Sequence, residues 1–255
     1  TLSADRVLYI VDARQSLHFQ QIFAVARAAA FAGEGVSLEH VAFGTMQGED
    51  GRPFRTRTGG TVKLMDLLDQ AVERAERVVR EKNPDLSEDE VRRTAETVGV
   101  GAVKYADLAQ HRASDYVFSF DRMLSLDGNT APYMQYAYAR IRSIRRKGEG
   151  MGVAGADGGQ RLVECGLAQA QERQLALKLG QFPETVQSVA DECLPHLLCA
   201  YLYDLAVAFT GFYENCPVLK SDEPTRSARL ALCEATARTI RGGLELLGIE
   251  TLEQM

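Results

Sequence analysis

The sequence has no tryptophan, only 7% aromatic residues, and no apolar run near the roughly 18 residues that a membrane-spanning helix needs. Residues 1–6 also lack the basic segment followed by an apolar one that marks a secretory signal. These absences argue against membrane and secreted classes, so we expect a cytoplasmic protein with no membrane partner. The composition is that of an ordinary globular protein, 45% apolar and 25% charged over 255 residues. That length suffices for one large or two smaller hydrophobic cores.

Cysteine and histidine are scarce, and neither forms a metal-binding motif. Five cysteines make an odd set without a CxxC pair, and four histidines lie far apart without an HExxH motif. We therefore expect no metal site. Most cysteines stand among apolar residues with helical spacing, which predicts reduced, buried thiols. The five are Cys165, Cys193, Cys199, Cys216 and Cys233.

The net charge of −6 disfavours nucleic acid only weakly, because the charge is unevenly distributed. Residues 1–150 contain 21 basic and 21 acidic residues, whereas residues 151–255 contain 8 and 14. Within the neutral part, residues 138–147 carry five cations and no acid. A local cationic face can bind phosphate in an acidic protein, since screening confines the interaction to roughly 10 Å.

Short apolar, β-branched runs predict two strands, at residues 6–12 and 38–43, and helical spacing predicts a helix from Leu17 to about Phe31 between them. Strand, helix and strand in this order predict a βαβ unit with parallel strands and a right-handed crossover. One such unit cannot bury both faces of its sheet. We expect the remaining strands to come from outside this sequence.

A glycine-rich basic loop is predicted at 45–61 and a long amphipathic helix at 63–82. Ser87 and Glu90 form a capping box that begins the next helix. Gly99 and Gly101 are expected to break that helix before a further helical segment that ends at Leu108. Residues 116–126 are interpreted as an extended segment or a bent helical connector.

Beyond Asn129 every apolar pattern has a helical period. Helices are predicted at 130–147, 161–180, 184–194, 196–215 and 224–247, separated by a glycine-rich loop and by prolines. The apolar stripes of the last two are interpreted as core. The predicted fold class is mainly α, with a partial βαβ unit followed by an all-α helical bundle.

Gln15 and His18 directly follow the first predicted strand, where open α/β sheets bind their ligands. The alternative is that Asp12 or Ser16 caps the helix and that Gln15 is merely solvated.

Three arginines of the glycine-rich loop, Arg52, Arg55 and Arg57, could close over a polyphosphate, because guanidinium groups bind phosphate in bidentate fashion. The phosphate-binding motif GxxxxGK[ST] is absent, so the loop is not of that class. A loop with solvated arginines is the alternative.

The predicted helix 130–147 combines tyrosines and arginines in the manner of single-stranded RNA surfaces, where aromatic rings stack on bases and cations bind phosphates. Tyr133, Tyr136 and Arg140 share one face by their spacing. An adjoining stripe continues the cationic surface with Arg142, Arg145 and Arg146. The alternative is a core-facing tyrosine stripe with a solvated arginine face.

Several blocks, in this order, resemble the carboxy-terminal part of arginyl-tRNA synthetases, a family of class I aminoacyl-tRNA synthetases. They include YIVDARQSLHFQQIFAVA, HVAFGTMQGEDGRPFRTRTGGTVKLMDLLDQA, YLYDLAVAFTGFYENCPVL and, as the most specific, DRMLSLDGNTAPYMQYAYAR. The resemblance implies ATP-dependent attachment of L-arginine to tRNA(Arg), with Mg2+ accompanying ATP. It also implies a Rossmann catalytic domain followed by a helical anticodon-binding domain.

Site residues follow from this resemblance by position. Gln15 is similar to the glutamine that contacts the substrate arginine, and His18 lies nearby. The segment that contains Val41, Phe43, Gly44 and Met46 resembles the adenine site. Residues 54–60 occupy the place of the KMSKS loop, which clamps the phosphates of ATP in class I synthetases, although the letters KMSKS do not occur here. The resemblance therefore implies that Arg55, Thr56, Arg57 and Gly59 bind ATP. The tRNA-binding residues implied are Tyr133, Tyr136, Arg140, Arg142, Arg145, Arg146 and Met255.

No HIGH-type motif occurs in the sequence, and the first residue is Thr1, which together suggest a chain truncated within its catalytic domain. We predict the second half of the catalytic domain at 1–60, connecting helices at 61–112 and the anticodon-binding domain at 113–255. Such a chain is expected not to activate arginine alone, and its parent is expected to be a monomer that does not bind DNA. The alternative is an isolated, non-catalytic anticodon-binding module.

Overall fold

A computed structural model describes residues 4–48, 51–52, 63–150 and 166–255, and these contain four strands and nine α-helices. They fall into two compact units: the first takes its described residues from 1–61 and 110–119, and the second from 62–109 and 120–255. The mainly α fold class is confirmed.

The first unit begins with the predicted βαβ arrangement. Strands β1 (Arg6–Asp12) and β2 (Ser37–Phe43) pair in parallel, and helix α1 (Ser16–Ala28) connects them. One face of β1 is covered by α1, since the ring of Tyr9 lies 5.1 Å from that of Phe19. On the opposite face, Ile10 is 68% exposed. The single βαβ unit therefore buries one face of its two-stranded sheet.

A second parallel pair joins β3 (Met46–Gln47) to β4 (Tyr116–Val117). The first of these strands lies inside the segment predicted as a loop, so that prediction is wrong for residues 46–47. Both interpretations of residues 116–126 hold in part, because β4 is extended and the short helix α4 (Phe120–Met123) follows it.

Helices α2 (Leu64–Lys82) and α3 (Glu88–Leu108) pack against each other in the second unit, and Ser87 and Glu90 form the predicted capping box. The predicted break in α3 is wrong, since the helix runs through Gly99 and Gly101. A Cβ atom on Gly99 would lie 2.8 Å from the Cα atom of Val72 on α2. The glycine is explained by the close approach of two helices.

The rest of the second unit is the predicted bundle. Its helices are α5 (Ala131–Gly150), α6 (Ala170–Gly180), α7 (Phe182–Glu192), α8 (Pro195–Asn215) and α9 (Thr225–Leu246). Helix α6 begins later than predicted, because Gln169 is its N-cap and forms a capping box with Glu172. Residues 161–165 of that prediction lie outside the described residues.

The bundle core contains the predicted stripe of α8, and it also contains most of the cysteines. Cys199, Cys216 and Cys233 are buried free thiols and Cys193 is half-buried, whereas Cys165 lies outside the described residues. Burial raises the pKa of Cys199 and of Cys233 to about 12, which keeps them protonated at neutral pH.

Candidate functional site

Gln15 ends a short turn, Ala13–Gln15, between β1 and α1. Asp12 caps this turn by accepting the backbone N–H of Arg14 at 2.8 Å, and hydrogen bonds from Arg14 lower the pKa of Asp12 to about 2. The capping interpretation is thus correct for Asp12. The side chains of Gln15 and His18 are exposed at the carboxyl end of β1, so both are accessible to a ligand. Their contact with arginine stays a prediction.

His40 organises this strand end, although the sequence analysis considered this histidine only as a metal ligand. Its Nε2 lies 3.0 Å from the carbonyl oxygen of Val11, and its Nδ1 lies 3.3 Å from Oγ of Ser16. Because a carbonyl only accepts, Nε2 carries a proton, and in the neutral imidazole Nδ1 then accepts from the Ser16 hydroxyl. The ring also stacks on Phe19 at 4.8 Å. His40 therefore ties β1 and β2 to the first turn of α1, next to Gln15.

The predicted adenine segment spans the end of β2 and the residues after it, where the backbone folds closely against residues 112–115. The amide of Gly44 donates to the carbonyl oxygen of Arg112 at 2.7 Å, and a Cβ atom on Gly44 would lie 2.5 Å from the backbone oxygen of Ser114. Only glycine fits this approach. Asp115 accepts the amide of Thr45 at 2.7 Å, a contact that the sequence did not indicate.

The side chains of this segment differ in their accessibility. Phe43 is 41% exposed and Met46 is partly exposed, whereas Val41 is buried in the unit. Phe43 and Met46 can thus contact a ligand directly, while Val41 supports the strand. The other residues assigned to ATP, Arg55, Thr56, Arg57 and Gly59, lie outside the described residues.

In the second unit, the three residues predicted to share a face of α5 contact different neighbours. The ring of Tyr133 packs 5.8 Å from that of Tyr203, and the Arg140 guanidinium lies 4.8 Å from the ring of Tyr213, both on α8. Tyr136 is 44% exposed and lines a groove instead. Tyr136 is therefore the tyrosine of this pair that is available for stacking.

The groove has a volume of about 200 Å³ and a mostly apolar wall, with Lys82 and Asn83 as polar residues. Tyr136 and Met255, which were predicted to bind tRNA, are brought together here. The remaining lining residues, contributed by α2, α3, the segment that leads into α5 and the first turn of α5, are Ala75, Val78, Val79, Val98, Leu124, Leu126 and Pro132. Sequence reasoning missed them as site residues, because their apolar spacing is equally typical of a helical core.

The arginine stripe of α5 has acidic partners that lie far away in sequence. Arg142 donates to Glu253 at 2.8 Å and to Glu234 at 3.3 Å, and Arg145 donates to Glu234 at 2.6 Å. Arg146 donates to the backbone oxygen of Glu253 at 2.9 Å, while its ion pair with that carboxylate is longer, at 4.0 Å. Arg146 is therefore the least neutralised of these three.

The last residues of the chain are held against α3 and α5. Lys104 donates to the carbonyl oxygen of Gly248 at 2.6 Å, and the Gln135 side chain donates to that of Glu250 at 2.9 Å. Partial burial disfavours the charge on Glu253, but hydrogen bonds from Tyr138 and Arg142 outweigh it and lower the pKa of Glu253. These contacts place residue 255 in the groove.

Among the residues that the structure describes, no three His, Cys, Asp or Glu side chains are grouped so that they could hold a metal ion. None of the described helices contains a segment that is long and apolar enough to cross a membrane.

Two family models match the chain. Residues 1–120 match the catalytic domain of class I tRNA synthetases (R), and residues 134–255 match the DALR anticodon binding domain. Together they define the class: a class I aminoacyl-tRNA synthetase, represented here by catalytic-domain residues followed by a helical anticodon-binding domain.

Similar proteins narrow this class. An arginine–tRNA ligase of Pseudomonas syringae pv. syringae is 58% identical over 255 residues, covering 100% of this chain and 43% of the relative. The arginyl-tRNA synthetase structure from Plasmodium falciparum is 33% identical with a TM-score of 0.82, over 98% of this chain and 41% of that one. The Thermus thermophilus structure is 32% identical with a TM-score of 0.83, over 100% and 42%. The chain belongs to the arginyl-tRNA synthetase family and spans 43% of the length of the curated relatives it matches.

Proposed function

We propose that this chain supplies the anticodon-binding surface, and one part of the arginine and ATP site, of an enzyme that attaches L-arginine to tRNA(Arg). The observation that carries this proposal is the groove in which Tyr136 and Met255 meet beside the cationic helix α5. The chain's membership of the arginyl-tRNA synthetase family supports it.

On the anticodon-binding surface, an unpaired base enters the groove and stacks on Tyr136, with the Met255 thioether against its edge or face. Stacking on an aromatic ring contributes about 1–3 kcal/mol per base. The cations of α5 bind the backbone phosphates, and Arg146 contributes more than Arg142 and Arg145, since its charge is the least neutralised of these three. Arg140, Arg142 and Arg145 support this face while they remain bound to their protein partners.

In the first unit, Gln15 contacts the substrate arginine, with His18 nearby, and residues Phe43, Gly44 and Met46 contact the adenine of ATP. The carboxyl end of parallel strands is where open α/β sheets bind ligands, which supports this placement. His40 holds the strand end in position. Arg55, Thr56, Arg57 and Gly59 bind the phosphates of ATP, which Mg2+ accompanies.

The domain organisation that we propose keeps residues 1–60 with the catalytic domain and residues 113–255 with the anticodon-binding domain. The helices at 61–112 connect the two. Helices α2 and α3 of this connecting segment also form one wall of the groove, so the connection takes part in RNA binding. A monomeric, cytoplasmic parent enzyme remains part of the proposal.

The test of RNA binding is fluorescence anisotropy with a labelled RNA hairpin that carries the anticodon loop of tRNA(Arg). We expect Tyr136→Ala to weaken binding by about 1–3 kcal/mol. Leu177→Ala removes another exposed apolar side chain, on α6 outside the groove, and serves as the matched control without effect. Equal binding by wild type and Tyr136→Ala would contradict the assignment of the groove.

ATP–pyrophosphate exchange tests whether this chain can activate arginine by itself. We expect no exchange by the 255-residue chain with arginine and tRNA, because its sequence contains no HIGH-type motif. Clear exchange would contradict the proposal that this chain is a part of the ligase that cannot activate arginine by itself. Hairpin binding without exchange is also what the alternative role, an isolated anticodon-binding module, requires. Gln15→Ala in the full-length enzyme distinguishes the two, since it raises the KM for arginine only if this part belongs to the catalytic site.

A further inference from the structure

Tyr138, Arg142 and Arg146 form a stripe along α5 at four-residue spacing, so they lie one helical turn apart on one side of the helix. All three donate to the same residue. The Tyr138 hydroxyl donates to Oε1 of Glu253 at 2.6 Å, and Nε of Arg142 donates to Oε2 at 2.8 Å. Arg146 donates to the backbone oxygen of Glu253 at 2.9 Å. The two carboxylate oxygens and the backbone oxygen of Glu253 therefore each have their own donor on α5.

This arrangement fixes the position of the chain end along α5. Glu253 stands two residues before Met255, and Met255 lines the groove with Tyr136. Upstream, Ile249 is buried, and Gln135 holds the carbonyl oxygen of Glu250 at 2.9 Å. Between that anchor and Met255, Glu253 is the residue whose two carboxylate oxygens both accept hydrogen bonds from α5.

We propose that Glu253 is a positioning residue for base recognition: it holds Met255 in register with Tyr136, so that the groove fits one anticodon base. The inference rests on the proposed function of the groove. Glu253 itself repels phosphate, and it neutralises Arg142 and part of Arg146. Its two possible effects on RNA binding therefore have opposite signs.

If Glu253 only neutralised the arginines, its removal would free positive charge, tighten RNA binding and steepen the dependence of affinity on salt. If it positions Met255, its removal weakens binding of the cognate loop and lowers selectivity among loops. Loss of a hydrogen bond to a charged group corresponds to about tenfold in an equilibrium constant.

The experiment measures dissociation constants by anisotropy for two labelled hairpins, one with the tRNA(Arg) anticodon loop and one with a single anticodon base replaced. We expect Glu253→Ala to weaken the cognate complex about tenfold and the other complex much less. In a Met255→Ala background the same change is expected to have almost no further effect, because coupled residues are not additive. Glu245→Ala, which breaks an exposed ion pair with Arg241, is the matched control.

Tyr138→Phe serves as a second variant, since it removes one donor to Glu253 and keeps the buried ring. It is expected to reproduce part of the loss in selectivity, with a circular-dichroism melt as the check on folding. Unchanged or tighter cognate binding by Glu253→Ala, or a full additional loss in the Met255→Ala background, overturns the inference while the proposed function stands. Wild-type chain that does not distinguish the hairpins overturns both.

Discussion

Gly99→Ala tests the close approach of helices α2 and α3 in the second unit. The added Cβ atom would lie 2.8 Å from both Cα and N of Val72 and 2.9 Å from the carbonyl carbon of Ala71. Ordinary contacts between carbon atoms are about 3.5–4.0 Å, and these neighbours are backbone atoms that cannot rotate away. Helix α2 must therefore move outward as a whole.

The change in the free energy of unfolding caused by Gly99→Ala is the difference between two opposing effects. Alanine is favoured over glycine in a helix by about 1 kcal/mol. Overpacking of a core costs about 1–3 kcal/mol, and the upper end applies where backbone atoms must shift. We expect Gly99→Ala to lower the free energy of unfolding by about 1–2 kcal/mol, which is roughly 2–8 °C in melting temperature for a unit of this size.

Differential scanning calorimetry measures this effect, and Gly242→Ala is the matched control. Gly242 lies within α9, where an added Cβ atom meets nothing within 4 Å, so the same substitution is expected to stabilise by about 0.5–1 kcal/mol. Helix α2 also lines the groove, so Gly99→Ala should weaken hairpin binding whereas Gly242→Ala should not. A Gly99→Ala protein as stable as wild type would refute the close approach of α2 and α3.

Three further predictions concern charged groups. Arg229→Ala removes the ion-pair partner of the buried Glu172 carboxylate and should lower the free energy of unfolding in urea by about 3–5 kcal/mol. Much of this loss should be relieved in the double variant with Glu172→Gln. A loss below about 1 kcal/mol, which is typical of exposed ion pairs, would contradict the buried position of this pair. Arg146→Ala should lower the salt slope of hairpin binding by about 1, and Arg142→Ala by less because Glu253 neutralises it; equal slopes would count against this ranking. Because the pKa of Glu253 is lowered in the folded chain, its ionised form stabilises the fold above its ordinary value of about 4.3, and that stabilisation is lost as the pH falls through the lowered value. The difference in melting temperature between wild type and Glu253→Gln should thus be constant from pH 7 to 5 and shrink below pH 4, and growth of the difference toward low pH would contradict the sign.

Local patterns predicted the elements well. The strand at Arg6–Asp12 has the predicted bounds, and the capping box at Ser87 begins α3 as expected. Both features depend on side chains within a few residues of each other, so a window of sequence contains the physical cause. The parallel pairing of β1 with β2 follows from the connection between them.

Contacts between distant residues were not predictable in the same way. Gly99 reads as a helix breaker in sequence, because the cost of glycine in a helix is local and its benefit lies on α2. The cationic stripe of α5 has one acid near it in sequence, Glu149, which pairs with Arg145, but Glu234 and Glu253 pair with the stripe across about a hundred residues. His40 likewise has its partners on β1 and at the start of α1.

The sequence by itself determined the order of elements, the family resemblance and the residues that the resemblance assigns to arginine, ATP and tRNA. Tertiary structure alone decided which of these side chains are accessible together. In the structure Tyr133 packs against α8 whereas Tyr136 lines the groove together with Met255. Ion pairs with distant acidic residues neutralise much of the arginine stripe. The physical reason is that packing and ion pairing depend on distance in space, whereas a sequence pattern reports only on neighbours along the chain.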